Sequence, residues 1–91
     1  MFYAKGTSAM FYTLFSAEGA SVSVENEDIP LFIWLQGGPG GSSQFGAFTE
    51  IGPIKIKKSV LSLNDKGWNH QGHLLFIDSP LNVGFSHTDD R

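Results

Sequence analysis

The clearest pattern of apolar and polar positions in the chain is an apolar run that ends in a cluster of glycines. Leu31–Leu35 is continuously apolar, and Gln36 and then Gly-Gly-Pro-Gly-Gly-Ser-Ser follow it. Such a run predicts a strand that is buried on both faces. Backbone without side chains after a strand is able to present main-chain N–H groups to a ligand. Residues 36–43 are called the glycine corner below.

Two other stretches predict strands. Residues 9–17 are dense in aromatic and other β-favouring residues on both alternating faces, which is typical of a strand covered on both sides. Gly6-Thr-Ser precedes it as a turn signal, so residues 2–5 are a candidate hairpin partner. Residues 73–78 predict a second buried strand, which Ser79-Pro80 closes. Residues 18–30, which join the stretch 9–17 to the apolar run 31–35, are polar and acidic and predict a surface connection.

The glycine corner is followed by a helix pattern. Ser42 or Ser43 is a suitable N-cap, and Phe45, Phe48 and Ile51 recur at a spacing of three. The Gly-Pro pair at 52–53 predicts the end of this helix.

Beyond this helix, residues 54–58 alternate apolar and basic side chains, which is typical of an exposed edge strand. Residues 61–69 predict a loop anchored by Leu61, Leu63 and Trp68. Strands on either side of one helix predict a parallel pair in a right-handed βαβ unit, and therefore an α/β fold. One short helix is too little to cover both faces of such a sheet, so residues 1–91 are expected to be part of a larger domain and to need the rest of it.

Composition restricts the class of protein. The chain has 91 residues, is 41% apolar and contains eight phenylalanines, which suits part of a globular core of at most one domain. Its net charge of −3 and lack of a basic cluster argue against nucleic-acid binding. No apolar run approaches the ~20 residues of a membrane span, and no signal-peptide pattern is visible at the N-terminus.

Three interpretations of the glycine corner are open from its residues. The first is a tight turn whose glycines permit positive φ angles. The second is a phosphate-binding loop, which the sequence disfavours because no lysine accompanies Ser42, Pro39 lacks an N–H, and the spacing is not G-x-G-x-x-G. The third is an oxyanion hole, in which a glycine-rich loop after a strand donates an N–H to the substrate carbonyl.

Four motifs in order resemble the serine carboxypeptidase family. They are Trp-Leu-Gln-Gly-Gly-Pro-Gly-Gly-Ser-Ser (34–43), Glu-Ile-Gly-Pro (50–53), Trp-Asn (68–69) and Pro-Leu-Asn-Val-Gly-Phe-Ser (80–86). The family pattern reads W-L-N-G-G-P-G-C-S-S, E-x-G-P, W-N and P-x-x-V-G-F-S. The resemblance covers residues 9–88 and is greatest to the vitellogenic-like carboxypeptidase branch. It implies serine-type carboxypeptidase activity without a cofactor and an α/β-hydrolase fold with a central mixed sheet, of which residues 1–91 would be the N-terminal part.

The resemblance implies roles for four residues. Gly38 aligns with the glycine whose main-chain N–H stabilises the oxyanion, and Gly37 lets that loop approach the substrate. Gln36 stands where the family has an asparagine that helps bind the C-terminal carboxylate of the peptide, and Glu50 where it has a glutamate of the same network. Two carboxyl groups in contact repel unless they share a proton, so substrate binding is expected to favour acidic pH.

Several other polar residues are interpreted as structural. Ser42 and Ser43 are not in a G-x-S-x-G motif, so helix capping is preferred to a nucleophilic role. Asp78 is expected to form hydrogen bonds in the loop before Pro80, because the family's catalytic acid lies much later. Gly41 stands at a family cysteine, so a disulfide implied there is not formed.

The histidines and the remaining motif have no implied catalytic role. His70, His73 and His87 do not align with the catalytic histidine of the family. A metal site drawn from His87, Asp89 and Asp90 is disfavoured, because adjacent acids near a chain end are usually solvated, so no metal is expected. The Trp-Asn pair at 68–69 matches a packing motif.

The resemblance implies that the catalytic residues lie elsewhere. The family's G-E-S-x-A/G-G motif follows downstream of Ser86, so the 91-residue chain is expected to be inactive by itself. The implied substrate is a peptide or protein with a free C-terminus, and the implied location is lysosomal, vacuolar or secreted. The alternatives are an acyltransferase of the same family and a truncated, non-catalytic binding or structural protein.

Overall fold

The fold is a mixed α/β arrangement in which a short helix packs on one face of a three-stranded sheet. A computed structural model describes residues 2–3, 8–21 and 28–89. Its α-helix, α1, spans Ser43–Thr49, and a 3₁₀ turn spans Trp68–His70. The strands are β1 (Phe2–Tyr3), β2 (Ala9–Met10), β3 (Tyr12–Phe15), β4 (Leu31–Trp34), β5 (Ile54–Lys57), β6 (Val60–Leu63) and β7 (His73–Ile77).

The three-stranded sheet has the order β3-β7-β4 and contains both strand orientations. β4 pairs with β7 in parallel, with Ile33 opposite Leu75, whereas β3 pairs with β7 antiparallel. Because α1 lies between β4 and β7 in the chain, the predicted parallel crossover is confirmed. β1 pairs antiparallel with β2, as expected for the N-terminal hairpin.

The core lies between α1 and one face of this sheet. Leu74 and Phe76 of β7 are almost fully buried against Ala47 and Ile51. Partly buried aromatic residues of β3, β4 and α1 complete the cluster: Phe15, Phe32, Trp34 and Phe48. The alternation along each strand therefore directs every second residue to the helix.

The opposite face of the sheet carries apolar side chains that remain in contact with solvent. Leu31 and Ile33 are 50% and 58% exposed, and Leu35 and Leu14 are exposed as well. The register places Ile33, Leu75 and Leu14 in one row across the sheet. The prediction that residues 31–35 are buried on both faces is therefore wrong for the described residues, because the only α-helix that they form covers one face.

The sequence-based prediction of a loop at residues 61–69 is also wrong at its start. Val60–Leu63 forms β6 and pairs with β5 in a two-residue hairpin, and Leu63 is 86% exposed instead of anchoring a loop. The turn residues Lys58 and Ser59 both have positive φ angles, of 51° and 64°. This turn is missed from sequence because type I′ hairpins usually carry Asn-Gly or another glycine pair.

The helix prediction is confirmed in its essentials. Ser42 is the N-cap, and its hydroxyl accepts a hydrogen bond from Gln44 N at 3.2 Å. The helix ends at Thr49, before the Gly-Pro pair. Of the expected surface connection at 18–30, residues 22–27 lie outside the described residues.

Candidate functional site

The glycine corner turns the chain from the end of β4 into α1. Gly38 and Gly40 have φ angles of +135° and +99°, which an L side chain rarely adopts. The turn is closed by a hydrogen bond of 3.1 Å from Gly41 N to Gly37 O. Among the hydrogen bonds of the described residues, none uses the exposed Gly38 N–H as its donor. This N–H group is therefore free to meet an acceptor from outside the chain.

The side chain of Gln36 is oriented by the strand that precedes it. Trp34 Nε1 donates to Gln36 Oε1 at 2.9 Å. Because an indole N–H is a donor only, it must face the amide oxygen, and the Nε2 group then points away from the indole. The backbone is also fixed, since Gln36 N donates to the hydroxyl of Ser43 at 3.1 Å. The arrangement leaves the two Nε2 protons available as donors.

Helix α1 approaches this hydrogen bond closely because of a glycine. A Cβ added at Gly46 would lie 2.5 Å from Trp34 Nε1 and 3.1 Å from Gln36 Oε1. Heavy atoms cannot approach so closely without movement, so the Trp34–Gln36 pair in this position requires glycine at 46.

Asp78 joins the two ends of the glycine corner to the strand beside it. The residue is fully buried at the end of β7. Its Oδ1 accepts from Ser42 Oγ at 2.6 Å and from Ser43 N at 2.9 Å, and its Oδ2 accepts from Phe85 N at 2.9 Å. The expectation that Asp78 forms hydrogen bonds near Pro80 is confirmed, although its partners include the helix start as well as the following loop.

The two serines of the corner are occupied by structural hydrogen bonds. Ser42 caps the helix and donates to Asp78, while the buried Ser43 donates its hydroxyl to Ile77 O. Capping is confirmed for Ser42. Ser43 has a different structural role from the one expected, because it is the first residue of α1 and ties Gln36 N to β7.

Glu50 lies at the C-terminal end of α1. Its main-chain N–H donates to Gly46 O at 3.2 Å, so Glu50 follows Gly46 by one helical turn, beyond the Trp34–Gln36 pair. The side chain is exposed, and its backbone carbonyl accepts from Asn64 Nδ2 at 3.1 Å. No hydrogen bond joins Glu50 to Gln36 among the described residues, so a shared carboxylate site stays a prediction.

The three histidines lie apart from the glycine corner. His73 is buried and its Nδ1 accepts from Ala17 N at 2.8 Å, while His70 contacts the carboxylate of Glu18 on the surface. His87 pairs through its backbone with Ala9. Within the described residues no three potential ligands form a metal-binding group, and Asp90 of the considered triad lies outside them.

Aromatic packing against Trp68 also holds the ring of Trp34. The ring of Trp68 meets Trp34 edge-on at 6.1 Å and Phe32 at 5.9 Å. A surface cavity of about 400 Å³ is lined by Phe32, Trp68 and Gln71, and thus lies beside this cluster instead of at the glycine turn. The Trp-Asn motif is therefore a packing element, as expected for Trp68. The turn itself is open to solvent at Gly37, Gly38 and Gly40.

The sheet and the glycine turn together define a class of protein. The chain is a mixed α/β protein in which a glycine turn at the end of a parallel strand presents the free N–H of Gly38 two residues after an oriented amide. Sites of this kind bind carbonyl or carboxylate oxygens.

The chain belongs to the serine carboxypeptidase family. The sequence profile of that family matches residues 2–91. A rice protein, serine carboxypeptidase-like 26 of Oryza sativa subsp. japonica, is 45% identical over 84 residues, which are 89% of this chain and 17% of that protein. The human protein "Probable serine carboxypeptidase CPVL" is 44% identical over 85 residues, which are 91% of this chain and 17% of that protein.

A solved structure shows the same arrangement. The prohormone-processing carboxypeptidase Kex1(Δ)p of Saccharomyces cerevisiae superposes with a TM-score of 0.79 at 40% identity, over 96% of this chain and 18% of that one. The chain therefore spans less than a fifth of the length of these relatives. The family predicted from the four motifs is confirmed. The rice and human identities differ by only one percentage point, so the branch within the family stays a prediction.

Sequence reasoning missed three residues that shape this corner. The motif contains Trp34 but does not indicate that its Nε1 orients Gln36. The helix pattern does not mark Gly46, and the capping pattern does not indicate that Ser43 joins Gln36 N to β7. A glycine inside a seven-residue helix was the available signal, because such a residue is unfavourable there unless another group packs closely.

Within residues 2–3, 8–21 and 28–89, no helix combines the length and the apolar character that a membrane crossing needs.

Proposed function

We propose that this chain is the N-terminal part of an α/β-hydrolase-fold serine carboxypeptidase. It would contribute the Gly38 N–H to the oxyanion hole and Gln36 and Glu50 to the site for the C-terminal carboxylate of a peptide. The observation that carries the proposal is the hydrogen bond from Trp34 to Gln36, which leaves the amide donor of Gln36 available two residues before the free Gly38 N–H. In this proposal, a peptide that binds its carboxylate at Gln36 brings the carbonyl of its last peptide bond to the glycine turn.

The proposed reaction is hydrolysis of the last peptide bond. A serine supplied from outside residues 1–91 attacks the carbonyl carbon, and the carbonyl oxygen gains negative charge in the tetrahedral intermediate. Gly38 N–H donates to that oxygen together with a second N–H next to the serine. Collapse of the intermediate releases the C-terminal amino acid, and water then attacks the acyl-enzyme and frees the shortened peptide. Loss of one oxyanion donor typically lowers kcat by about 10²–10³.

The substrate class follows from the charge that the site must accept. A free carboxylate accepts the Nε2 protons of Gln36 directly, whereas it repels an ionised Glu50 until one proton is shared between the two carboxyl groups. Binding through such a pair requires uptake of a proton and weakens as pH rises. Membership of the family and this preference for acid both favour a lysosomal, vacuolar or secreted protein whose substrates are peptides with a free C-terminus.

The proposal is tested with a full-length protein that carries this chain. Peptides with a free C-terminus and the same peptides with a C-terminal amide are compared for wild type and for Gln36→Ala. A hydrogen bond to a charged group is worth about 1.5–3 kcal/mol, so the variant should lose about 10–100-fold in kcat/KM on the free peptides and little on the amides. Gln71→Ala, which removes an exposed glutamine, is the matched control. Equal losses on both peptide series would rule out carboxylate recognition by Gln36.

The pH profile tests Glu50 separately. With wild type, kcat/KM on free peptides should decline from acidic towards neutral pH, and Glu50→Gln should flatten this decline because an amide needs no shared proton. A profile that is flat from about pH 4 to pH 8 in wild type would contradict the shared-proton site.

The 91-residue chain by itself is proposed to be inactive. With no G-x-S-x-G motif in residues 1–91, the serine and its general base must come from elsewhere. A fluorophosphonate probe should leave the isolated chain unlabelled and should label the full-length protein at one serine. Stoichiometric labelling of the isolated chain would refute this part of the proposal.

A further inference from the structure

Four consecutive main-chain carbonyls, those of residues 50–53, accept hydrogen bonds from one later segment, residues 64–68. Asn64 Nδ2 donates to Glu50 O at 3.1 Å and to Gly52 O at 2.9 Å. Main-chain N–H groups of the segment meet the other two carbonyls at 2.8 Å: Asn64 N donates to Pro53 O, and Trp68 N donates to Ile51 O. Asn64 therefore supplies three of the four hydrogen bonds that hold the turn after α1.

The side chain of Asn64 has the donors and the acceptor that this position requires. The residue is 6% exposed, and the two protons of its Nδ2 group are matched by two carbonyls of the turn. Its Oδ1 accepts from Lys66 N at 3.1 Å. An ionised aspartate would lack both donors, and alanine would lack the donors and the acceptor. The partners thus fix which end of the amide faces the turn.

The main chain at Glu50 is held on both sides. Glu50 has φ −124° and ψ −82°, outside the helical region, so helix geometry does not set the direction of its side chain. On the N-terminal side, Gly46 O accepts from Glu50 N at 3.2 Å and from Ile51 N at 3.0 Å. On the C-terminal side, the carbonyl of Glu50 accepts from Asn64 Nδ2. These hydrogen bonds determine the direction in which the Glu50 side chain leaves the main chain.

We propose that Asn64 is a positioning residue for Glu50 in the carboxylate site. Its amide holds the main chain at Glu50, so that the exposed carboxyl group of Glu50 has a defined starting direction when a substrate carboxylate binds. Asn64 acts through Glu50 and not on the substrate. This inference rests on the proposed function in so far as Glu50 binds a substrate carboxylate, whereas the anchoring of the turn by Asn64 does not.

A double-mutant cycle in the full-length protein tests the positioning role. The four proteins are wild type, Asn64→Ala, Glu50→Ala and the double variant, assayed on peptides with a free C-terminus and on the same peptides with a C-terminal amide. On the free peptides, Asn64→Ala should lower kcat/KM about tenfold with glutamate at position 50 and about twofold or less with alanine there, because no carboxyl group is then left to position. On the amides the loss should be about twofold or less in both backgrounds.

Thermal unfolding of the same four proteins separates positioning from general damage. Both hydrogen bonds of Asn64 Nδ2 go to main-chain oxygens, which Glu50→Ala retains. Asn64→Ala should therefore lower Tm equally in both backgrounds, so that the two substitutions are additive in Tm but coupled in kcat/KM. Equal fold losses of kcat/KM in both backgrounds, or on both peptide series, would mean a structural role only and would overturn the positioning role.

Amide hydrogen exchange tests the anchoring of the turn without an enzyme assay. In Asn64→Ala, exchange should accelerate about tenfold at Ile51 and Trp68 and should not change at Phe45, near the start of α1. Asp65→Ala, at an exposed neighbour in the same segment, is the matched control and should alter neither exchange nor kcat/KM. Unchanged exchange at Ile51 and Trp68 in Asn64→Ala would refute the anchoring.

The outcomes distinguish this inference from the proposed function. If Glu50→Ala impairs hydrolysis of free peptides selectively but is not coupled to Asn64→Ala, the proposed function stands and the positioning role fails. If Glu50→Ala is not selective for free peptides, the proposed role of Glu50 fails and the positioning of a substrate fails with it, and faster exchange then supports the anchoring alone.

Asn64→Asp provides a second variant if Asn64→Ala does not fold. Its carboxyl group keeps the acceptor for Lys66 N and, when protonated at acidic pH, keeps one of the two donors. In the same cycle at acidic pH, its loss of kcat/KM on free peptides should be about threefold with glutamate at position 50 and should disappear with alanine there. Equal losses in the two backgrounds would refute the positioning role.

Discussion

Replacing Asp78 is the strongest test of how the glycine corner is held. Its two carboxylate oxygens accept hydrogen bonds from Ser42 Oγ, Ser43 N and Phe85 N. Asp78→Ala removes both acceptor oxygens, and with them all three hydrogen bonds, at a site that is 0% exposed. Leaving the buried Ser43 N–H without a partner should cost about 2–3 kcal/mol, and leaving each of the two part-buried donors without one should cost about 1 kcal/mol, so the free energy needed to open the corner should fall by about 4–5 kcal/mol.

Asp78→Asn should remove only the hydrogen bond on one side of the carboxyl group. An amide has one oxygen, and the orientation that retains more hydrogen bonds keeps this oxygen at the Oδ1 position, facing Ser42 and Ser43. Its NH₂ group then faces the N–H of Phe85, and this unfavourable donor pair should cost about 2 kcal/mol. Asp78→Asn should therefore reduce local stability mainly in the loop at Phe85 and much less at the start of α1.

Amide hydrogen exchange in the full-length protein measures both effects at defined positions. A loss of about 1.4 kcal/mol is a tenfold change, so exchange at Ser43 should accelerate by about 10³ in Asp78→Ala. In Asp78→Asn, exchange should accelerate by about 30-fold at Phe85 and by less than about threefold at Ser43. Asp65→Asn, at an exposed aspartate, is the control and should change neither amide. Unchanged exchange of Ser43 in Asp78→Ala would refute the role assigned to this carboxylate.

Three further outcomes are expected in the full-length protein. Trp34→Phe should lower kcat/KM about tenfold on free peptides and spare amidated ones, because Gln36 loses its orienting donor; equal losses on both would exclude this role. Phe76→Ala should lower the free energy of unfolding, measured with denaturant, by about 3–5 kcal/mol. Phe85→Ala, at an exposed ring, should lower it far less, and similar losses for the two variants would contradict the assigned core. Ser59→Gly should slow amide exchange in the β5–β6 hairpin about fivefold, because glycine adopts the positive φ angle of this position without the steric cost that serine carries. Faster exchange would count against the type I′ turn.

Much of the corner follows from local sequence. The apolar run before Gln36 specifies a strand, the glycines specify the turn, and Ser42 with the spacing of Phe45 and Phe48 specifies a short helix. These predictions succeed because each depends on residues that are near one another in the chain, whose backbone preferences and periodicity are the same in many folds.

Other predictions failed where local preference was overruled or incomplete. The β5–β6 hairpin was missed because Lys58 and Ser59 adopt positive φ angles that neither residue favours. Burial of Leu31 and Ile33 was overestimated, because apolar character shows that a face needs cover but not which segment provides it. Residues 1–91 match less than a fifth of the length of the family relatives, so in those relatives most of the chain lies outside the matched segment.

The sequence by itself determined the family, the strand–turn–helix–strand order and the candidate site residues Gln36, Gly37, Gly38 and Glu50. The tertiary structure alone decided how that site is held: Gly46 lets α1 approach the Trp34–Gln36 pair closely, and Asp78 ties the helix start to the end of β7. The physical reason is distance along the chain. Hydrogen bonds such as that from Ser43 N to Asp78 join residues 35 positions apart, and only the packing of α1 on the sheet brings their donors and acceptors together.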